Sequence, residues 1–370
     1  MTSIEIGRSK QASVAYSFDD IALVPMKRVR DAADVALTWR IDAYEFAHPI
    51  VMAPMDSIAS PATVIEYARL GGLAVLDLEG LWTRLEDPAS ALTEVASLKG
   101  SIGVKRLQQL YSTPVDPDLM RQRVSELRDA GITVAGALSP QAAAVHHDAV
   151  IKAGLDIFVI RGTTVSAEHV SAQSESLNLK DFIYQLDTPV IVGGVASHKA
   201  AMHLMRAGAA GVLVGFGGGA THTSRDVLGV RVPMATAVAE VAAARREYLE
   251  ESGGRYVQVI ADGAMGRSGD MAKALACGAD AVMVGSPLAR ATEAPGNGRH
   301  WGREAAHADL PRGEVVELGT IGSLHDIVVG PSHTADGTMN LTGALRKAMS
   351  TCGYTSVKDF QRCEIIVDRA

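Results

Sequence analysis

Glycine, serine and aspartate crowd into four short stretches of this 370-residue chain: GGVAS (193–197), GFGGGATHTSR (215–225), ADGAMGRSGD (261–270) and VGSPLA (284–289). Glycine lets a backbone approach a ligand closely and aim N–H groups at an anion, and a helix starting just afterwards adds its dipole. Gly285-Ser286, and Gly263 with the downstream Ser268, are therefore candidates for a phosphate cradle; the same glycines would also suit plain tight turns. Asp262 ends an apolar run. A carboxylate there could accept two hydrogen bonds from sugar hydroxyls, or cap a helix, or pair with Arg267. Cys277, Cys352 and Cys363 have neither CxxC nor His-rich spacing, which supports no zinc site and no disulfide framework and suits a reducing cytosol.

Such residues need a frame to hold them. Eight short apolar runs, each followed by a small or polar loop and then a helical pattern, read as parallel strands in βα units: 49–55, 72–78, 131–138, 156–162, 189–194, 211–216, 257–263 and 281–286. Helical patterns at 60–70, 141–153, 198–207, 235–249 and 269–276 separate them, and Gly71, Gly154, Gly208 and Gly278 stand where a left-handed residue closes a helix. The expected fold class is α/β, a (β/α)8 TIM barrel covering 1–370 as one domain, with a doubly wound sheet as the runner-up. In a barrel the glycine stretches fall at the carboxyl ends of the strands, where ligands bind, with phosphate commonly after strands seven and eight.

Composition narrows the partners. With 47% hydrophobic and 21% charged residues the chain has an ordinary globular balance, which excludes disorder as its main state. A formal charge of −7, no Lys/Arg cluster and 5% aromatics speak against nucleic acid and anionic membranes. The start MTSIEIGRSKQ has no apolar signal region and no 18 apolar residues run together, so neither secretion nor membrane spanning is expected and the cytoplasm is. The stretch 292–312, rich in glycine, histidine and charge, reads as solvent-facing and mobile.

Four motifs carry a resemblance that covers nearly the whole chain. SFDDIALVP (17–25), PIVMAPMDSIAS (49–60), VGFGGGATHTSR (214–225) and ADGAMGRSGDMAKALACGADAVMVGS (261–286) resemble the IMP dehydrogenase and GMP reductase family, in particular its IMP dehydrogenase-related branch. The resemblance implies a barrel that binds a purine nucleoside monophosphate (IMP, XMP or GMP). Asp262 would hold the ribose hydroxyls, backbone around Gly263, Gly285 and Ser286 the phosphate, and Met55 of the Met-Asp pair would also touch substrate. It further implies NAD or NADP as redox partner, a monovalent cation such as potassium held by carbonyls of the loop containing Gly217 and Gly219, and assembly as a homotetramer or octamer. Between Leu78 and Gly131 there is space for a helix or two but not for the paired CBS modules that many relatives insert, so regulation through them is not expected.

Departures from the family pattern bear on chemistry. Where the family presents a cysteine that adds to C2 of the purine before hydride leaves to NAD, this chain has His222, followed by the matching Thr223. A neutral imidazole would leave a cationic adduct, from which hydride departs less readily than from a thiolate adduct. His222 could instead serve as a general base, donate a hydrogen bond to the purine, or have no chemical role. Ala220 replaces a phosphate-binding serine, and Leu318 a tyrosine. Arg161, in a stretch with Thr163 that faces the cofactor in the family, replaces an acidic residue that greets the nicotinamide ribose. Guanidinium only donates, so Arg161 could meet a phosphate or pair with Glu168 at the rim. The segment from Val328 to Leu341 is short for a full catalytic flap. Three functions compete: a purine nucleotide oxidoreductase, a nucleotide-binding homologue or regulator without turnover, and a flavin-dependent barrel oxidoreductase.

Overall fold

The computed structural model describes residues 3–98, 100–162, 177–215, 219–221, 224–306 and 314–368. All eight apolar runs are strands: β1 Ile50–Met52, β2 Leu73–Asp77, β3 Ala135–Leu138, β4 Ile157–Arg161, β5 Val190–Val195, β6 Gly211–Val214, β7 Gln258–Asp262 and β8 Ala281–Val284. Each lies parallel to the next, and β8 closes on β1 with Val282 opposite Ile50, Met283 opposite Val51 and Val284 opposite Met52. Closure makes this a (β/α)8 barrel and rules out the open doubly wound sheet. Every residue of β1, β2, β3, β6 and β8 is buried, because helices cover the outside while side chains fill the inside. That double burial is why the runs are continuously apolar and not alternating.

Among the helices, α1 Pro61–Arg69, α2 Pro88–Ser97, α3 Gly100–Tyr111, α4 Pro117–Asp129, α5 Pro140–Ala153, α6 Leu179–Tyr184, α7 His198–Arg206, α8 Met234–Glu251 and α9 Ser268–Ala276 precede or follow the strands in turn. Ser60, Ser139 and Ser197 cap α1, α5 and α7 by accepting the N–H groups of Thr63, Ala142 and Ala200. Gly71, Gly154, Gly208 and Gly278 have φ between 92° and 113°, the left-handed geometry their positions required. At the amino end of the barrel the hairpin of Trp39–Ile41 with Tyr44–Phe46 brings fully buried Ile41 against Gly211 at the start of β6.

Two expectations need correction. The span from Leu78 to Gly131 holds three helices, α2 to α4, not one or two. It does so by forming a second small core in which Leu81, Leu92, Val95, Leu107 and Leu110 enclose Trp301. The stretch 292–306 is not a solvent-facing loop either. Arg299–Trp301 pairs antiparallel with Val315–Glu317, and His300, Trp301 and Glu304 are 2%, 3% and 4% exposed; residues 307–313 lie outside the described residues. Among the described residues no helix is long and apolar enough to cross a membrane.

Candidate functional site

A cavity of about 540 Å³ opens at the carboxyl ends of the strands. Asp262, Gly263, Gly285, Ser286, Met55, Arg161 and Gly219 all line it, so the expected substrate residues come together with part of the expected cofactor and cation sets. His222, Thr223, Thr163 and Gly217 lie outside the described residues. The outlets of β1 and of β4 to β8 contribute to the lining, and those of β2 and β3 contribute no described residue.

The β7 and β8 outlets have the character of an anion cradle. Among the described residues, the backbone N–H groups of Gly263, Ala264, Met265, Gly266, Gly285 and Ser286 donate to no protein acceptor, yet all six residues border the cavity. Gly263 and Ala264 have φ of 123° and 58°. A non-glycine residue in that region costs free energy, and backbone strain of this kind gathers at ligand sites. Gly215 brings the β6 outlet so close that a Cβ there would overlap the Asp262 carbonyl oxygen. Ser268 is not among the residues lining the cavity, and its N–H donates to the Gly337 carbonyl at 2.8 Å.

Asp262 is paired not with Arg267 but with Arg161, whose Nε donates to Oδ2 at 3.1 Å from the end of β4. Glu168, the other partner expected for Arg161, lies outside the described residues. The Arg161 and Asp262 side chains are 20% and 17% exposed, so the pair remains within reach of a ligand. Asp19, Asp270, Asp336 and Glu304 add further carboxyl groups to the lining. Arg290 lies 3.6 Å from Asp336, whose carboxyl is held down to about 2 chiefly by the hydroxyl of Thr338. At Asp270 burial, reinforced by Asp19, pushes the carboxyl up. With this much acid around the cavity, an anion would have to be gripped by backbone N–H groups more than by side-chain charge.

None of the three cysteines lines the cavity. Burial pushes the Cys277 and Cys363 thiols up to about 12, and Cys352 is itself buried. Burial that disfavours the thiolate makes Cys277 and Cys363 poor nucleophiles.

Sequence reasoning missed the arm Arg299–Ala306, which supplies His300, Gly302 and Glu304 to the cavity wall. Ser57 Oγ lies 3.0 Å from His300 Nδ1 and orients the ring. Arg303 pins the arm to the barrel, with 2.6 Å bonds to both Asp77 and Glu79, and Glu79 in turn accepts from the Ser139 N–H at 2.5 Å. Burial opposes ionisation of Glu79, but Arg303 and the Ser139 donors outweigh it and hold its carboxyl below the usual range. Trp301 Nε1 donates to the Tyr111 hydroxyl at 3.2 Å, and that hydroxyl donates to Asp56 Oδ2 at 2.5 Å. The tryptophan beside a histidine in GNGRHWGREAA was the available signal, since a loop that merely faces water seldom carries one.

Comparison with known proteins agrees with this geometry. The family model of the IMP dehydrogenase / GMP reductase domain matches residues 15–306. The chain belongs to the IMP dehydrogenase/GMP reductase family. It is 48% identical to an uncharacterized oxidoreductase of Mycolicibacterium smegmatis, covering 98% of this chain and 99% of that protein. It is 27% identical to inosine-5′-monophosphate dehydrogenase of Methanocaldococcus jannaschii, covering 95% and 92%. A crystal structure of an IMP dehydrogenase/GMP reductase-like protein from Corynebacterium glutamicum superimposes with a TM-score of 0.94 at 47% identity, covering 99% of this chain and 98% of that one. As an IMP dehydrogenase/GMP reductase barrel, the chain runs from β2 to β3 through α2–α4 alone, with no CBS modules between them.

The family generally uses NAD. Arg161, which the resemblance sets where the family greets the nicotinamide ribose, has no acceptor to offer hydroxyls and is bonded to Asp262. Arg161 therefore does not fit the ribose contact that the resemblance implies. Leu318 packs against the core, where it can supply no hydroxyl. Short as it is, the segment 328–341 reaches the mouth through Asp336 and Thr338.

Proposed function

We propose that the protein binds a purine nucleoside monophosphate in the barrel mouth, as an oxidoreductase-family member of purine nucleotide metabolism in which the usual cysteine route does not operate. The observation that carries this reading is the set of six backbone N–H groups at the β7 and β8 outlets that find no acceptor among the described residues. A phosphate has the oxygens to take several of them at once. Asp262 would accept from ribose hydroxyls with the oxygen that Arg161 leaves open, and apolar Met55 would lie against the base. NAD or NADP would be the hydride acceptor or donor by family analogy. The absence of any cysteine from the lining favours, as a second reading, a nucleotide-binding homologue without turnover. Binding is common to both readings.

Calorimetric titration with IMP, XMP and GMP, beside the corresponding nucleosides, tests it. The monophosphates are expected to bind and the nucleosides to bind at least roughly tenfold more weakly, since charge-assisted phosphate contacts contribute more than about 1.4 kcal/mol. Asp262→Ala should weaken monophosphate binding by about 1–3 kcal/mol. Equal affinity for nucleoside and nucleotide would remove the phosphate cradle and the proposal with it.

A further inference from the structure

Behind the arm, outside the cavity lining, lies a cluster with more acid than base. Asp56 stands between Met55, which lines the mouth, and Ser57, whose Oγ orients His300 and whose carbonyl accepts the Gly296 N–H at 3.0 Å. Asp56 Oδ2 accepts from the Leu81 N–H at 2.8 Å and from the Tyr111 hydroxyl at 2.5 Å, and Tyr111 joins it to Trp301 of the arm. Asp56 Oδ1 is buried against Gly80 and has no hydrogen-bond partner among the described residues. The charged and titratable groups around it are Asp77 and Glu79 from the β2 outlet, Tyr111 from α3 and Arg303 from the arm. Arg84 is spent on the Glu79, Tyr111 and Thr113 carbonyls, while His300 and Glu304 of the arm border the mouth. Three largely buried carboxyl groups thus share one guanidinium. Arg303 bonds Asp77 and Glu79 at 2.6 Å each, which favours their ionised forms and leaves Asp56 without a cation of its own. A buried carboxylate with an undonated oxygen beside a second carboxylate is costly, so the proton of the cluster belongs on Asp56. Burial, with Asp77 next, pushes that carboxyl up to about 7 against the bonds from Tyr111 and Leu81 and the charge of Arg303. At Asp77 burial also lifts the carboxyl, but there Arg303 opposes it directly.

We propose that Asp56 is a proton-operated catch: with its proton on, the arm stays docked against the barrel, and loss of the proton loosens the arm and weakens the mouth's hold on its ligand. The effect on the ligand rests on the function proposed above; the effect on the arm does not. An ionised Asp56 would draw water, or the Arg303 guanidinium, toward Oδ1. Either shift disturbs the arm where Trp301 and Arg303 flank Gly302, and a Cβ on Gly302 would lie 3.6 Å from Met55 Cε in the cavity wall. A ligand that binds with the arm docked is therefore linked to the proton, and its affinity falls as pH rises through the titration of that carboxyl.

The test follows the full-length protein from about pH 6 to about pH 8. Hydrogen exchange of the arm Arg299–Ala306, corrected for the intrinsic pH dependence of exchange, reads the arm, and calorimetric titration with IMP reads the mouth. In the unaltered protein the arm's protection should fall roughly tenfold across that range. Affinity for IMP should fall by as much relative to Asp56→Asn, in which the phosphate's own ionisation is the same. Asp56→Asn, a neutral isostere of the protonated carboxyl, should leave the arm's protection flat. Tyr111→Phe, which takes a donor away from the ionised form, should move both falls to higher pH, a shift that a merely structural role would not produce. Thermal unfolding checks that each variant is folded, and where Asp56→Asn is not, Tyr111→Phe decides. Arm protection that is flat in the unaltered protein, or that falls equally in Asp56→Asn, overturns the catch. A pH-dependent arm with no binding of IMP at any pH overturns the phosphate cradle and leaves the catch on the arm standing. IMP binding that ignores pH while the arm responds overturns the link from arm to mouth.

Discussion

Gly215 shows how closely the site's backbone is packed: with any side chain at that position the Asp262 carbonyl oxygen would have to move. Asp262 is the last residue of β7, and the N–H groups that find no acceptor among the described residues begin one residue later, so a shift there would pass directly to a ligand held by them. Gly215→Ala is therefore expected to weaken nucleoside monophosphate binding at least roughly tenfold, because a displacement of an ångström at a positioned site has effects of that order. Titration of the variant beside a thermal melt checks it; unchanged affinity would mean that the β7 outlet yields without cost. Met55 and Gly302 carry the same lesson, since an apolar floor and a missing side chain together leave room for a ring. Gly263, Gly285, Ser286 and Asp262 were legible as candidates because glycine recurs at four successive strand outlets and the stretch 261–286 carries the family resemblance. The pairing of Arg161 with Asp262 was not, since the two lie 101 positions apart and only barrel closure makes them neighbours.

At the scale of elements, the arm Arg299–Ala306 is the part of this barrel that departs most from a plain alternation of strand and helix. Arg303 is its pin. The guanidinium is 17% exposed, Asp77 and Glu79 are 8% and 16%, and each ion pair is 2.6 Å. Removing the cation leaves two carboxylates with little water to solvate them. Arg303→Ala should thus lower stability by about 3–5 kcal/mol, the cost of breaking a buried pair from one side, and Arg303→Met should not restore it. Denaturant unfolding gives the number, and a loss under about 1 kcal/mol would show the arm to be held by Trp301 and the second core instead. Eight strands and five helices could be read from apolar runs and glycine stops, because each such unit is a local solution to burying its own face. The arm and the helices α2 and α3 could not, since their apolar residues bury against one another and not against the repeating barrel.

For the molecule as a whole, two buried groups set opposing pH trends. Burial lowers His48 from 6.5 to about 4, so the folded state resists protonating it, and stability is lost as pH falls from 6.5 toward 4. Burial, reinforced by Asp77, raises Asp56 to about 7, so the folded state holds that proton, and stability is lost as pH rises from 3.8 toward 7. Each effect amounts to roughly 3–4 kcal/mol at its limit, and over the shared window they largely cancel. Relative to the unaltered protein, Asp56→Asn should gain stability as pH rises from 4 to 7, and His48→Gln should gain it as pH falls from 6.5 to 4. Unfolding curves across that range check both signs; parallel curves for all three proteins would sink the account.

What the amino-acid order settled alone was the barrel and the family: periodic apolar runs, helix-closing glycines and the stretch 261–286 are local patterns, and local patterns survive without coordinates. The tertiary structure alone decided which chemistry surrounds the ligand. Arg161 meets Asp262, the Ser268 N–H meets the Gly337 carbonyl, and Glu304 enters the mouth on an arm whose composition suggested open solvent. The physical reason is that a hydrogen bond or ion pair depends on where two distant segments meet, which closure of the sheet and burial of Trp301 determine, while strand and helix propensities depend only on neighbours along the chain.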